Sequence, residues 1–262
     1  MKLRAVLATL AILTLVSGVA YAATKFTVTS REFDPVNTFL VQAQWLNGIG
    51  CPTNAKISAD GSTVTSHYTD PACATGDTSD NTNQGLLLAK TGPTPNYASA
   101  VADIKGVTGP ITELGYDVRK PISAVTPMGS HCGAGAPRFD VTTTTASYFI
   151  GCNSPPAVQT GTGNGWIRLR WGAAGVVLGY NASTGVLEPI TGNVKSIQIV
   201  FDEGQDTGPD FFGLAVLDNI DVNGTLVGQG DNGGNKGDNK GKNKNKDHGD
   251  NGNDDDDQGQ DD

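Results

Sequence analysis

Apolar and polar residues alternate with a period of two along most of this chain, the signature of strands with one buried face. Ile167, Leu169 and Trp171 alternate with Trp166, Arg168 and Arg170, and Ile197, Ile199 and Phe201 alternate with Lys195, Ser196, Gln198 and Val200. Phe26 and Val28 open the series. Phe39, Val41, Ala43 and Trp45 continue it up to the turn signal Asn47-Gly48, although residues 36–46 also fit a short helix. Further strands are predicted over residues 62–68, 85–90, 97–104, 111–119, 138–141, 148–151 and 176–180, with the last two over 194–201 and 212–222. Residues 111–119 place Leu114, Tyr116 and Val118 inward and Glu113, Asp117 and Arg119 outward. Clusters of Gly, Pro, Asn and Asp separate the runs, and long helical periods are nearly absent. Many short strands with turn signals between them predict an all-β, two-sheet antiparallel, jelly-roll-like sandwich. A parallel α/β sheet is excluded because nothing in the pattern supplies crossover helices.

The two ends break this pattern. Lys2 and Arg4, an apolar run over 5–19 and Ala20-Tyr21-Ala22 read as a signal peptide of residues 1–22 with cleavage before Ala23. The apolar run is too short for a comfortable membrane span, and no later stretch is a candidate. Residues 229–262 hold Asp, Asn, Gly, Lys and Gln with one His and no aliphatic or aromatic side chain, so they have nothing to bury and are expected to be disordered. Residues 23–228 are left as one β-sandwich domain.

Net charge at pH 7 is −9. The tail carries ten Asp against five Lys, the leader adds two cations, and the body accounts for −6. An acidic body argues against a nucleic-acid partner, since phosphate contacts need clustered Lys and Arg. Four cysteines, Cys51, Cys73, Cys132 and Cys152, lie in the exported part, which reads as two disulfides. Three pairings are open to them; the sequential one, Cys51 with Cys73 and Cys132 with Cys152, is preferred because it closes loops of moderate length.

The last strand, Leu217-Asp218-Asn219-Ile220-Asp221-Val222, resembles the closing strand of galactose-binding-like jelly-roll modules, many of which bind carbohydrate. At motif level the resemblance covers only these residues. The runs GLLLAKTGPTPNYASA and GSHCGAGAPRFDV also look like secreted bacterial proteins of unassigned function, which implies a compartment and no activity. The jelly-roll resemblance implies a structural calcium held by Asp218 near the first strand, with Glu32 or Asp34 as a second carboxylate.

Candidate chemistry follows from side-chain type. Trp166, Arg168, Arg170, Arg138 and Asp117 are expected on outer strand faces, where an aromatic ring beside planar hydrogen-bonding groups suits a sugar. An ordinary solvated face laced with ion pairs fits the same residues. Asp70, Asp77 and Asp80, and Asp202, Asp206 and Asp210, are oxygen-rich places that suit a hard cation or, equally, turns in which Asp bonds its own backbone. His131 beside Cys132 reads as a neighbour of a disulfide rather than a thiol nucleophile, and no serine-hydrolase elbow or zinc-protease helix is present. Glu113 and Glu203 are a candidate glycosidase pair whose separation the sequence does not fix. The sequence thus leads to an exported, non-catalytic sandwich that binds a glycan or cell-surface component. A structural envelope protein with a solubilising acidic tail and a hydrolase with an unrecognised carboxylate site stand behind it.

Overall fold

The computed structural model describes residues 25–52, 56–57, 64–65, 70–121, 135–161, 165–206, 208 and 211–230. The predicted leader, the tail from residue 231 on, His67, His131, Cys132, Asp210 and most of the strand expected over 62–68 lie outside them.

Sixteen strands are described. In chain order they are β1 (Thr27–Phe33), β2 (Val41–Leu46), β3 (Lys56–Ile57), β4 (Val64–Thr65), β5 (Gly85–Lys90), β6 (Ser99–Lys105), β7 (Leu114–Arg119) and β8 (Arg138–Thr143). Then come β9 (Ser147–Ile150), β10 (Val158–Thr160), β11 (Ile167–Trp171), β12 (Leu178–Asn181), β13 (Leu187–Pro189), β14 (Val194–Phe201), β15 (Leu214–Val222) and β16 (Thr225–Val227). Sheet one runs β1-β6-β14-β8-β9-β12-β13, and sheet two runs β10-β11-β7-β15-β5-β2 with β16 added on β15. All pairings are antiparallel, and β3 and β4 make a separate two-stranded ribbon. The chain is an all-β sandwich of two seven-stranded sheets, as the period-two pattern predicts.

The alternating residues meet between the sheets. From sheet one come Val28, Ala100, Ala102, Ile104, Phe139, Val141, Ile197, Ile199 and Phe201; from sheet two, Leu86, Leu88, Leu114, Tyr116, Val118, Leu169, Trp171, Ala215 and Leu217. Tyr116, Phe139 and Trp171 pack as a tilted aromatic trio with centroids 5.4 to 5.8 Å apart. The polar tips of two of this trio are satisfied: Tyr116 Oη donates to Pro137 O at 2.6 Å and Trp171 Nε1 to Pro155 O at 2.8 Å.

Several strand boundaries differ from the sequence expectation, β10, β13 and β16 are additional to it, and at three strands the shift involves an aromatic. Residues 41–46 form β2, not a helix, and the strand starts after Phe39 rather than on it. β6 begins at Ser99 rather than Tyr97, and β15 at Leu214 rather than Phe212. In each case an aromatic that the expected strand includes belongs to the loop before the strand. Among the described residues no helix is long and apolar enough to cross a membrane.

Candidate functional site

Outer faces and ends are where a sandwich can meet a partner, and here the two outer faces differ. On sheet two, β7 and β11 run side by side with Arg168 opposite Asp117 and Arg170 opposite Gly115, and β15 sets Asp218 against Asp117 from the other side. β15 carries a bulge between Asp218 and Asp221, where Asn219 adopts a left-handed φ of 45°. The bulge keeps Leu217, Ile220 and Val222 in the core while both Asp218 and Asp221 face outward. The apolar-Asp-Asn-apolar motif is thus the sequence of a bulged strand.

Little of this charge meets solvent: Asp117, Asp218 and Asp221 are buried, and the side chains of Arg168 and Arg170 are 13% exposed. A layer of loop, residues 47–52 and 70–84, lies over them and is tied together by the Cys51–Cys73 disulfide, whose Cα atoms are 5.8 Å apart. Cys152 is also disulfide-bonded; its expected partner Cys132 lies outside the described residues. Cys51, Ala72, Cys73 and Trp166 form a small second core with Val216 packed against it. Trp166 is 1% exposed, so the expectation of an open stacking face there is corrected: the ring points outward from the sheet but is roofed by the disulfide loop. Its Nε1 has no acceptor among the described residues.

Beneath the roof, Arg168 Nε and Nη2 donate to Asp117 at 2.7 and 2.9 Å, and Nη1 donates to Thr75 Oγ1 at 2.7 Å. Arg170 Nε lies 2.9 Å from Asp221 and its Nη2 3.6 Å from Asp117. Gly115 leaves the room this guanidinium needs, because a Cβ there would run into the Arg170 side chain and stand 2.6 Å from Leu169 O. Asp218 accepts from Cys51 N at 2.6 Å and Asn219 N at 2.5 Å. Burial drives its carboxyl well above the ordinary range; these two bonds pull it back, while Asp117 and Asp80 push it further up. Burial likewise raises Asp221 to about 7, with Arg170 opposing and Glu113 adding to the rise. Glu203, the other half of the conceivable glycosidase pair, accepts from Ala136 N at 2.6 Å at the end of β14. Glu113 precedes β7, at the opposite end of the sandwich, so the two carboxylates do not share a site.

Oxygen-rich places predicted for a cation are occupied by N–H donors. Asp70 caps the turn at Pro71–Cys73 and accepts from Ala72 N and Trp166 N. Asp77 accepts from Ser79 N and Gly228 N, and Asp80 from Thr82 N and Gln84 N. Asp34 accepts from Thr38 N at 2.8 Å and Phe39 N at 2.7 Å, and Glu32 from Ala43 N at 3.4 Å. Among the described residues no hydrogen bond joins Asp218 to Glu32 or Asp34. The one trio with metal-ligand spacing among those residues is Cys51, Cys73 and Asp117, whose two sulfurs are already bonded to each other.

Arg138, the remaining predicted binding residue, stands apart on the outer face of sheet one. Its Nε donates to Asp140 at 2.9 Å and its Nη1 to Asp202 at 2.7 Å, with the guanidinium 5.9 Å from the ring of Phe149. This face is open. Across it, Asp103, Gln198, Asp140, Phe149 and Tyr180 are successive cross-strand partners.

A third place was not legible in the sequence. The β1–β2, β5–β6 and β14–β15 loops converge at one end of the sandwich, where Phe33 pairs Ser99, Val41 pairs Lys90 and Leu214 pairs Ala89. They are wired together: Thr91 N donates to Leu40 O at 2.7 Å, Gln205 N to Gly92 O at 2.9 Å, and Thr94 N to Asp206 Oδ1 at 2.7 Å. Lys90, nearly fully buried, donates to Thr94 O at 2.6 Å, and burial lowers its pKa. On this frame stand Phe39, Tyr97 and Phe211, exposed by 86, 80 and 56%, with Phe33, Val36 and Phe212 beside them in sequence or on the same loops. All three of the most exposed aromatics have left-handed backbone, with φ of 56°, 57° and 57°. Among the described residues the other non-glycine positions with positive φ are Asn, which tolerates it; for a bulky side chain it is a costly outlier, of order 1–3 kcal/mol. Asp34 imposes it on Phe39 by gripping the N–H groups of Thr38 and Phe39, and those bonds, the Thr38 one first, hold its carboxyl below the usual range.

No protein-family model, curated protein or solved structure matches this chain.

Proposed function

We propose that this is an exported, non-catalytic sandwich that binds a glycan through the aromatic crown formed by Phe39, Tyr97 and Phe211. The observation that carries this reading is that three rings, each in a backbone conformation that disfavours it, are turned to solvent at one end. A fold that spends conformational energy to expose apolar rings three times over does so for a surface it must touch. Rings on hydrogen-bonded loops are pre-organised, so little ordering entropy is lost when a flat apolar face stacks on them. The neighbouring groups, Asn37, Thr38 and Gln205, are polar and uncharged, and the solvent-facing charges nearby, Asp34 and Asp206, are anionic, while the ammonium of Lys90 is buried beneath the loops. That balance favours the C–H face and hydroxyls of a neutral sugar over an anionic membrane surface, which would be repelled. The reading rests on the rings and calls for no calcium. The export reading rests on the leader-like start and on the Cys51–Cys73 bond, which belongs to oxidising compartments.

The test is retention on insoluble polysaccharides and on a glycan array. The Phe39→Ala, Tyr97→Ala and Phe211→Ala triple variant should lose binding by at least tenfold while keeping its melting temperature. Trp166→Ala, if folded, should leave binding in place. Full retention by the triple variant, or flotation with anionic vesicles instead of capture on polysaccharide, would remove the reading.

A further inference from the structure

At the opposite end of sheet one from the crown, on its outer face, lies a cavity of about 290 Å³ between the end of β6 and the start of β14. Asp103, Lys105, Val107, Lys195, Ser196 and Gln198 line it. Its volume is near the lower limit for small-molecule sites, which begin at ~300 Å³, and suits one sugar ring or a smaller group.

How Lys195 reaches this cavity is the informative detail. Ile197, Ile199 and Phe201 point into the core, so a regular strand would aim Lys195 inward as well. The β8–β14 register slips there: Val194 faces Thr143 and Ser196 faces Thr142, leaving Lys195 without a cross-strand partner. This bulge takes the lysine off the core side and turns it out to the cavity, the kind of re-aiming for which bulges recur beside functional sites. Lys105 comes from the outer face of β6, at the last residue before the Gly106 turn, whose φ is 92°.

The charge balance of the cavity is the reverse of the body's. Its one carboxylate, Asp103, is already compensated, with Arg31 Nε at 3.1 Å and Gln198 Nε2 at 2.8 Å. Neither Lys105 nor Lys195 has a carboxylate within ion-pair distance among the described residues. Two lysines without a carboxylate partner among the described residues therefore line one cavity together with Ser196 and Gln198, on a body whose sequence charge is −6. We propose that this cavity binds an oxyanion, with Lys105 and Lys195 as its two cationic arms and the Ser196 hydroxyl as a further donor. The chemistry fits the carboxylate of a uronic acid, a sulfate ester on a sugar or a free inorganic oxyanion. The site is independent of the crown and stands whether or not the rings bind a glycan.

The experiment is an amide-resolved NMR titration of the full chain with sodium sulfate, sodium glucuronate and glucose, with sodium chloride holding ionic strength constant. Sulfate, glucuronate or both should give saturable shifts at Gly106, Val107 and Ser196, and glucose and chloride none. Lys105→Ala with Lys195→Ala should weaken this binding at least tenfold, and Lys105→Arg with Lys195→Arg should restore most of it. The crown triple variant should titrate like the parent, which separates this site from the glycan reading. Saturation by glucuronate alone assigns a uronic acid, and saturation by sulfate alone assigns a sulfate ester or free anion; both outcomes uphold the oxyanion site. Shifts no larger than those from chloride, or shifts undiminished in the double alanine variant whose unchanged melting curve shows it is folded, overturn it.

Discussion

Arg168 and Asp117 face each other across β11 and β7 and are joined by two hydrogen bonds of 2.7 and 2.9 Å, with the Asp117 side chain fully shielded from solvent. A pair in that position is held together by its hydrogen bonds because each charge has given up water. Asp117 also accepts from Asn219 Nδ2 at 2.8 Å, so it links β11, its own strand and the bulge on β15. Asp117→Ala should cost about 3–5 kcal/mol in urea unfolding, because it leaves the Arg168 guanidinium in a covered place without its carboxylate, while Arg170 keeps Asp221. Replacing both residues together, Asp117→Leu with Arg168→Met, should recover a good part of that loss. A single-variant cost under about 1 kcal/mol would mean that the loop layer does not exclude water.

Acid should stabilise this protein. Burial raises Asp80 to about 6 and Asp221 to about 7, and drives Asp218 upward as well. In an unfolded chain the same groups titrate near ~4, so between about 4 and 7 the folded state holds more protons than the unfolded one. Stability then falls as pH rises through that window. Asp34 and Asp206 work the other way: their carboxyls are held low by bonds from Thr38 and Thr94, and their contribution is lost as pH falls below about 4. The urea midpoint should therefore be higher at pH 5 than at pH 8, and Asp80→Asn should flatten the difference. A midpoint that climbs from pH 5 to pH 8 would contradict the buried carboxyls.

The alternation of Ile167, Leu169 and Trp171, and of Ile197, Ile199 and Phe201, gave away both sheets because side-chain period and core face are the same physical fact. The site was harder to read for two separate reasons. Trp166 shares its parity with Arg168 and Arg170, so its outward direction was legible, but its roof comes from residues 70–84, about ninety positions earlier in the chain, and nothing local announces it. Phe39 continues the alternation of Val41, Ala43 and Trp45, and Tyr97 adjoins that of Ala98 to Ile104, so both read as strand; a left-handed aromatic breaks the statistical rule that reserves such backbone for Gly and Asn. The signal that was present is Asp34, five residues before Phe39, in a Pro- and Asn-containing turn.

The disulfide should hold the roof more than the sandwich. Cys51 and Cys73 are 22 positions apart, and a loop of that size is worth about 3 kcal/mol on the chain-entropy model. Cys51→Ala with Cys73→Ala should lower stability by about that much. It should also red-shift the emission of Trp166, while Trp45 and Trp171 stay buried in the main core. An unchanged emission maximum alongside the stability loss would show that the roof is kept in place by Arg168, Asp77 and Asp218 alone.

Stability and binding should part company at the crown. Tyr97 is 80% exposed with φ of 57°, so its ring contributes little packing while its backbone carries a steric penalty of about 1–2 kcal/mol. Glycine removes that penalty and costs roughly 0.5–1 kcal/mol in unfolded-state entropy. Tyr97→Gly should therefore leave stability unchanged or raise it by up to about 1 kcal/mol, where a glycine put in place of a packed aromatic destabilises. Phe39→Gly should behave the same way, since Asp34 still grips the N–H groups of residues 38 and 39. If the rings are there to touch a ligand, the same two variants lose retention on polysaccharide as they hold or gain stability, the usual exchange between a working surface and a relaxed backbone. Guanidinium unfolding read beside the retention assay decides it: a loss of more than about 1 kcal/mol on Tyr97→Gly would mean that the ring braces the loops, and the crown would lose its claim to be a binding surface.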